Sequence, residues 1–135
     1  MIVLDSCAVF EMVMKSEAGL ALKSLLMKNE KAVSCDLVRA EVASVLRKSV
    51  RRQTVSADEV GAYFAEALAL VDEFVPIAEL QAEALRESIR LDHSVYDLFY
   101  FVLARRTGAT LFTTDRKLME LCLDNGVGCI CEIDF

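Results

Sequence analysis

The chain opens on four apolar residues, Met1-Ile2-Val3-Leu4, and stops them at Asp5-Ser6. A short apolar run closed by helix-capping residues reads as a buried strand feeding a helix. The same figure recurs along the chain. Strands are predicted at 1–4, 32–35, 74–76, 110–113 and 127–131. Helices are predicted at 7–14, 17–28, 36 to about 50, 56 to about 72, 78–91, 94–106 and 116–125. Asp36 is expected to cap the third helix, whose apolar stripe is Leu37, Val38, Val42, Val45 and Leu46. Ser56, with Glu59 three residues on, has the form of a capping box. The predicted strands are near-continuous apolar runs, as expected where both faces of a sheet are covered. Their alternation with longer helices predicts a single α/β domain over 1–135 with a mainly parallel sheet.

Composition narrows the function. At 55% apolar and 27% charged residues the chain can bury a core and is not disordered. Its mean hydropathy of +0.38 raises the question of a membrane span. The longest stretch without Asp, Glu, Lys or Arg is 107–114, eight residues, against the roughly 20 that a span requires. The first residues lack the basic start of a signal peptide. Net charge is −6, the opposite of a domain that holds nucleic acid by bulk charge. A nucleic-acid role would need a local basic patch or a bound metal. The five cysteines include no C-x-x-C pair, and Cys129-x-Cys131 with one histidine is too few ligands for zinc. They read as reduced thiols of a cytoplasmic protein. His93 stands alone and no nucleophile elbow accompanies it, so a Ser-His-Asp or Cys-His enzyme is not indicated. The five glycines cannot build a phosphate-cradling loop.

Four carboxylates then require an explanation. Asp5 and Asp115 directly follow the first and fourth strands, at the carboxyl edge where open α/β sheets bind ligands. Each also suits the N-cap of the next helix. Asp97 is the only charge in the ten residues from Val95 to Ala104. It is either the acid of a capping box with Ser94 or part of a buried site, and a buried charge must have a partner. The helix feeding the fourth strand must run away from the carboxyl edge, which puts Asp97 near Asp5. Glu41 lies in the second turn after the second strand, and its neighbours three and four residues away carry no cation. Two carboxylates about 5 Å apart repel by roughly 3 kcal/mol at an effective dielectric near 20. Such a cluster calls for protons or cations. An all-carboxylate set suits Mg²⁺ or Mn²⁺, which can activate water and polarise a phosphoryl oxygen without histidine.

With their surroundings these residues resemble the PIN domain family, and within it the VapC-type toxins. The matching stretches are Ile2-Val3-Leu4-Asp5-Ser6, Arg39-Ala40-Glu41-Val42, Val95-Tyr96-Asp97 and the run from Ala109 to Leu118 that holds Thr113-Thr114-Asp115. The resemblance covers the whole chain. It implies a three-layer α/β/α sandwich with a five-stranded sheet and a Mg²⁺- or Mn²⁺-dependent endoribonuclease. Asp5, Glu41, Asp97 and Asp115 would hold the metal, directly or through water. Ser6 and Thr113 would orient carboxylates or water. Water would attack phosphorus in line, leaving 5′-phosphate and 3′-hydroxyl ends. Cys7 stands where many members have a small polar residue. The resemblance further implies a homodimer, a cognate antitoxin partner and an RNA substrate.

Arg116 and Lys117 follow Asp115 and are the candidates for holding RNA near the metal. Arg47, Lys48, Arg51 and Arg52 suit either the end of their helix or phosphate contact. Tyr63, Phe64, Leu68 and Val71 read as a core stripe, and Tyr96 and Tyr100 are expected to be buried rather than to stack on bases. Two rivals without enzyme activity are a receiver-like module gathering acids around Mg²⁺ and an inactive interaction domain of the same fold. Against the first, Val75-Pro76-Ile77 supplies no phosphoacceptor acid at the third strand's end.

Overall fold

The computed structural model describes residues 1–26 and 29–131. Strands β1 (Ile2–Leu4), β2 (Ala32–Cys35), β3 (Glu73–Val75), β4 (Thr110–Thr113) and β5 (Cys129–Cys131) form one sheet. Their order is β3-β2-β1-β4-β5, and every pairing is parallel. The helices are α1 (Ser6–Met14), α2 (Glu17–Ser24), α3 (Leu37–Arg51), α4 (Val60–Ala69), α5 (Gln81–Leu91), α6 (Val95–Thr107) and α7 (Arg116–Asp124). α1 packs against α2, α3 and α4, whereas α6 packs against α5 and α7 and lies over β1, β2 and β4. Right-handed crossovers explain this division. The chain steps from β1 to β2 to β3 in one direction with α1–α4 on one face. It then returns past β1 to β4 and β5 with α5–α7 on the other. The result is the three-layer α/β/α sandwich.

Strand order reverses between β1 and β4, the switch point beside which such sheets open a ligand crevice. A receiver-like module would instead show the order 2-1-3-4-5, so that rival is set aside. β1 and β4 are central, and their inward residues Val3, Leu4, Leu111 and Phe112 are at most 2% exposed. α6 has little polar surface in its middle: Leu98, Tyr100, Phe101, Val102, Leu103 and Ala104 are all buried. Among the described residues no helix is long and apolar enough to cross a membrane.

Several boundaries differ from the sequence expectation. Asp36 precedes α3 but makes no capping bond. Its Oδ1 accepts from Arg39 Nε at 3.3 Å instead, because its own backbone is already helical. The capping box at Ser56 and Glu59 does not form. Ser56 Oγ accepts from the Asp58 N–H at 3.2 Å, closing a turn, and α4 starts only at Val60 and stops at Ala69. The predicted helix 17–28 ends at Ser24, and Met27 and Lys28 lie outside the described residues. β3 sits one residue earlier, excluding Pro76, which has no N–H to donate to a ladder. Residues 77–79 form a 3₁₀ turn before α5. β5 starts at Cys129 because the Val127 N–H is spent on the Cys122 carbonyl at 2.9 Å.

Candidate active site

Asp5 leaves β1 in extended conformation and caps α1, its Oδ1 accepting the Ala8 N–H at 2.8 Å. Asp115 leaves β4 and caps α7, its Oδ1 accepting the N–H groups of Lys117 at 2.9 Å and Leu118 at 3.4 Å. Both acids therefore cap their helices while standing at the carboxyl edge of adjacent strands. Thr113, the last residue of β4, ties them together. Its hydroxyl donates to Asp5 Oδ2 and accepts the Asp115 N–H at 3.0 Å. Asp5 and Thr113 are buried, Asp5 to 3% exposure, so one fixed hydroxyl clamps both lips of the switch point.

The other two acids come from helices. Asp97 does not pair with Ser94, which makes no side-chain cap. It receives His93 Nε2 on its Oδ2 at 2.9 Å, and the two side chains are 28% and 15% exposed. Glu41, half-buried on α3, receives the Tyr100 hydroxyl on Oε1 at 2.6 Å. Both donors escaped the sequence reading. His93 is considered there only as a catalytic base or a zinc ligand, whereas it lies in the break just before α6, four residues ahead of Asp97. Tyr100 is buried as expected, but its bond to Glu41 spans 59 residues and has no local signature. Tyr96 is not buried: it is 56% exposed, beside Asp97 at the start of α6.

The charges converge. Asp5 is pushed up to about 7, first by burial and further by the charges of Asp97 and Asp115, against the bonds from Thr113 and Ala8 that favour its ionised form. Asp97 is likewise raised, by burial and by Asp115, against its bond from His93. The Cys7 thiol is exposed, and the nearby carboxylates, Asp5 first, push its pKa up. Among the described residues no lysine or arginine lies within ion-pair distance of any of the four. Ser6 is half-buried and its hydroxyl makes no hydrogen bond to a described residue; the side chains of Arg116 and Lys117 are exposed and form no ion pair with a described residue.

The donor set fits a hard divalent cation: four carboxylates and a threonine hydroxyl, all oxygen. Oδ2 of Asp115, Oδ1 of Asp97 and Oε2 of Glu41 carry no hydrogen bond among the described residues. No three His, Cys, Asp or Glu side chains among them stand close enough to form a ready-made ligand cage.

A family model described as the PIN domain matches residues 2–122. No curated protein sequence matches the chain. Two solved structures are similar in fold. PAE2754 from Pyrobaculum aerophilum is 20% identical, with a TM-score of 0.69 over 88% of this chain and 84% of that one. VapC20 from Mycobacterium tuberculosis, described as a toxin that cleaves the sarcin–ricin loop, is 18% identical. Its TM-score is 0.67 over 90% of this chain and 95% of that one.

Proposed function

We propose, from the premise that the chain belongs to the PIN domain family, that it is an endoribonuclease dependent on Mg²⁺ or Mn²⁺. The observation that carries this reading is that the Thr113 hydroxyl joins Asp5 and Asp115 at the carboxyl edge, while no lysine or arginine among the described residues pairs with Asp5, Glu41, Asp97 or Asp115. A cation held there would lower the pKa of water and polarise a phosphoryl oxygen of RNA. The chain's own residues do the rest. Thr113 fixes Asp5 against Asp115, so the two strand-borne acids keep their spacing when substrate arrives. Arg116 and Lys117, exposed in the first turn of α7, are placed to hold phosphates flanking the scissile bond. Tyr96 offers an exposed ring for a base. In the hydrolysis, water oxygen bonds to phosphorus as the P–O3′ bond breaks, and a proton passes to the departing 3′ oxygen.

The fold it shares with a sarcin–ricin-loop-cleaving toxin supports RNA as substrate and a place in a toxin–antitoxin pair. On that reading the chain works in the cytoplasm, as a homodimer held silent by an antitoxin protein. The test is cleavage of RNA by the purified protein in Mg²⁺, with chelator, Asp5→Asn and Asp97→Asn as controls. Cleavage to 5′-phosphate ends, abolished by all three, is expected. Undiminished cleavage by the two variants would sink the proposal. Failure of the wild type to cut RNA in Mg²⁺ or Mn²⁺ would leave the inactive-module rival standing.

A further inference from the structure

Helix α6 carries one of the four acids, and it and the turn before it restrain two of them. His93 lies four residues before Asp97 and holds its Oδ2 at 2.9 Å. Tyr100, nearly one turn after Asp97, holds Glu41 Oε1 at 2.6 Å. In each pair the second carboxylate oxygen has no hydrogen bond among the described residues. Resting on the proposed cation site, we infer that His93 and Tyr100 are positioning residues that fix one oxygen of Asp97 and of Glu41 and so present the other to the cation.

Both donors are themselves held. Tyr100 is 1% exposed, and burial keeps its hydroxyl protonated far beyond physiological pH, so it is always a donor. The backbone of His93 is tied to the end of α5: its N–H donates to the Ser88 carbonyl at 3.1 Å, and its carbonyl accepts from Ser88 Oγ at 2.6 Å. Asp92, in the left-handed region at φ 52°, makes the turn that brings this about. The choice of donor also matters. An arginine or lysine would compete with a cation for the carboxylate, whereas a phenol adds no charge, and an imidazole donating through Nε2–H needs none. Outer partners that orient ligands typically change metal affinity by about 10–100-fold. The Tyr100–Glu41 bond further joins the two helical layers across the carboxyl edge, since α3 and α6 lie on opposite faces of the sheet.

The test is Mn²⁺ binding without RNA, by calorimetry and pulsed EPR, on folded full-length protein. Tyr100→Phe removes only the hydroxyl, and His93→Leu removes the imidazole; each should weaken binding by about 10-fold or more. His93→Gln, whose amide can donate from nearly the same place, should restore most of it. The bound Mn²⁺ should show no directly coordinated nitrogen. Wild-type affinity in both Tyr100→Phe and His93→Leu, with binding lost in Asp5→Asn, would overturn the inference and leave the site reading intact. A coordinated nitrogen would also overturn it, by making His93 a ligand. Wild-type affinity in Asp5→Asn would overturn the site reading and this inference with it. If His93→Leu does not fold, Tyr100→Phe decides alone.

Discussion

At the scale of the residue, Asp5 is asked for two incompatible things. The fold buries it, and the site needs it charged. Its pKa of about 7 lies well above the roughly 3.9 of a free aspartate, so between these values the folded state binds more protons than the unfolded one. Stability contributed by the protonated acid is present below about pH 4 and lost as pH rises to about 7. The full loss is on the order of 4 kcal/mol. Asp5→Asn removes this penalty. In chelator the variant should melt higher than wild type at pH 8, and the gap should close by about pH 4. Thermal denaturation across that range checks it, and a gap independent of pH would contradict the assigned strain. The same variant should be inactive. The places of Asp5 and Asp115 at the sheet edge are legible in the sequence because Asp5 follows directly on a short apolar run and Asp115 follows one after Thr113 and Thr114. Ser6 was singled out only by resemblance, and its hydroxyl has no partner among the described residues to give it a role.

At the scale of the element, contacts between helices replace rules within them. Gly19 opens onto the last turn of α1, where a Cβ would stand 1.9 Å from the Glu11 carbonyl oxygen and 2.6 Å from the Met12 nitrogen. These are backbone atoms, so the helices must part. Gly19→Ala is expected to lower stability by about 1–3 kcal/mol, measured by urea denaturation. On the opposite face Glu87, 6% exposed, receives Arg90 and Arg105, while Glu83 receives Arg105 and Arg106, riveting α5 to α6. The bond from Arg90, and then Arg105, holds the Glu87 pKa at about 2. This contribution is complete above the ordinary glutamate pKa and lost as pH falls from about 4.3 to about 2. Glu87→Gln should therefore cost about 1–3 kcal/mol at pH 7 and almost nothing near pH 2, read from melts at both values. Capping at Asp36 and Ser56 is overridden in the same way. Asp36 and Ser56 carry good capping chemistry, but their side chains found other local partners. Local patterns foretold where elements lie better than how they begin.

At the scale of the molecule, alternation of strands and helices was enough to expect a parallel α/β sheet. The order β3-β2-β1-β4-β5 was not, because nothing in a strand's own sequence names its neighbour. That order is what brings Asp5 beside Asp115. It also separates the charges. α3 begins at the carboxyl edge and runs away from it, so Arg51 lies roughly 15 Å along the helix from Glu41. Arg51 and Arg52 of the exposed cluster are thus remote from Glu41, whereas Arg116 and Lys117 directly follow Asp115. Replacing both with alanine should raise the KM for RNA several-fold and flatten its dependence on salt by about one to two phosphate contacts. Stability should hardly move. An unchanged salt slope in steady-state kinetics would show that RNA is held elsewhere.

The clamp formed by Thr113 has a last consequence. Asp5 and Asp115 ride on adjacent strands, whose separation is set by the backbone ladder at roughly 4.8 Å. Glu41 and Asp97 ride on helices, which can slide by an ångström without breaking a sheet. One jaw of the vice is therefore cast and the other adjustable. At the proposed cation site, ion-radius preference should be tuned from the seating of α6, through Leu98 and Val102 beneath it, and should prove stubborn to anything done at the strand ends.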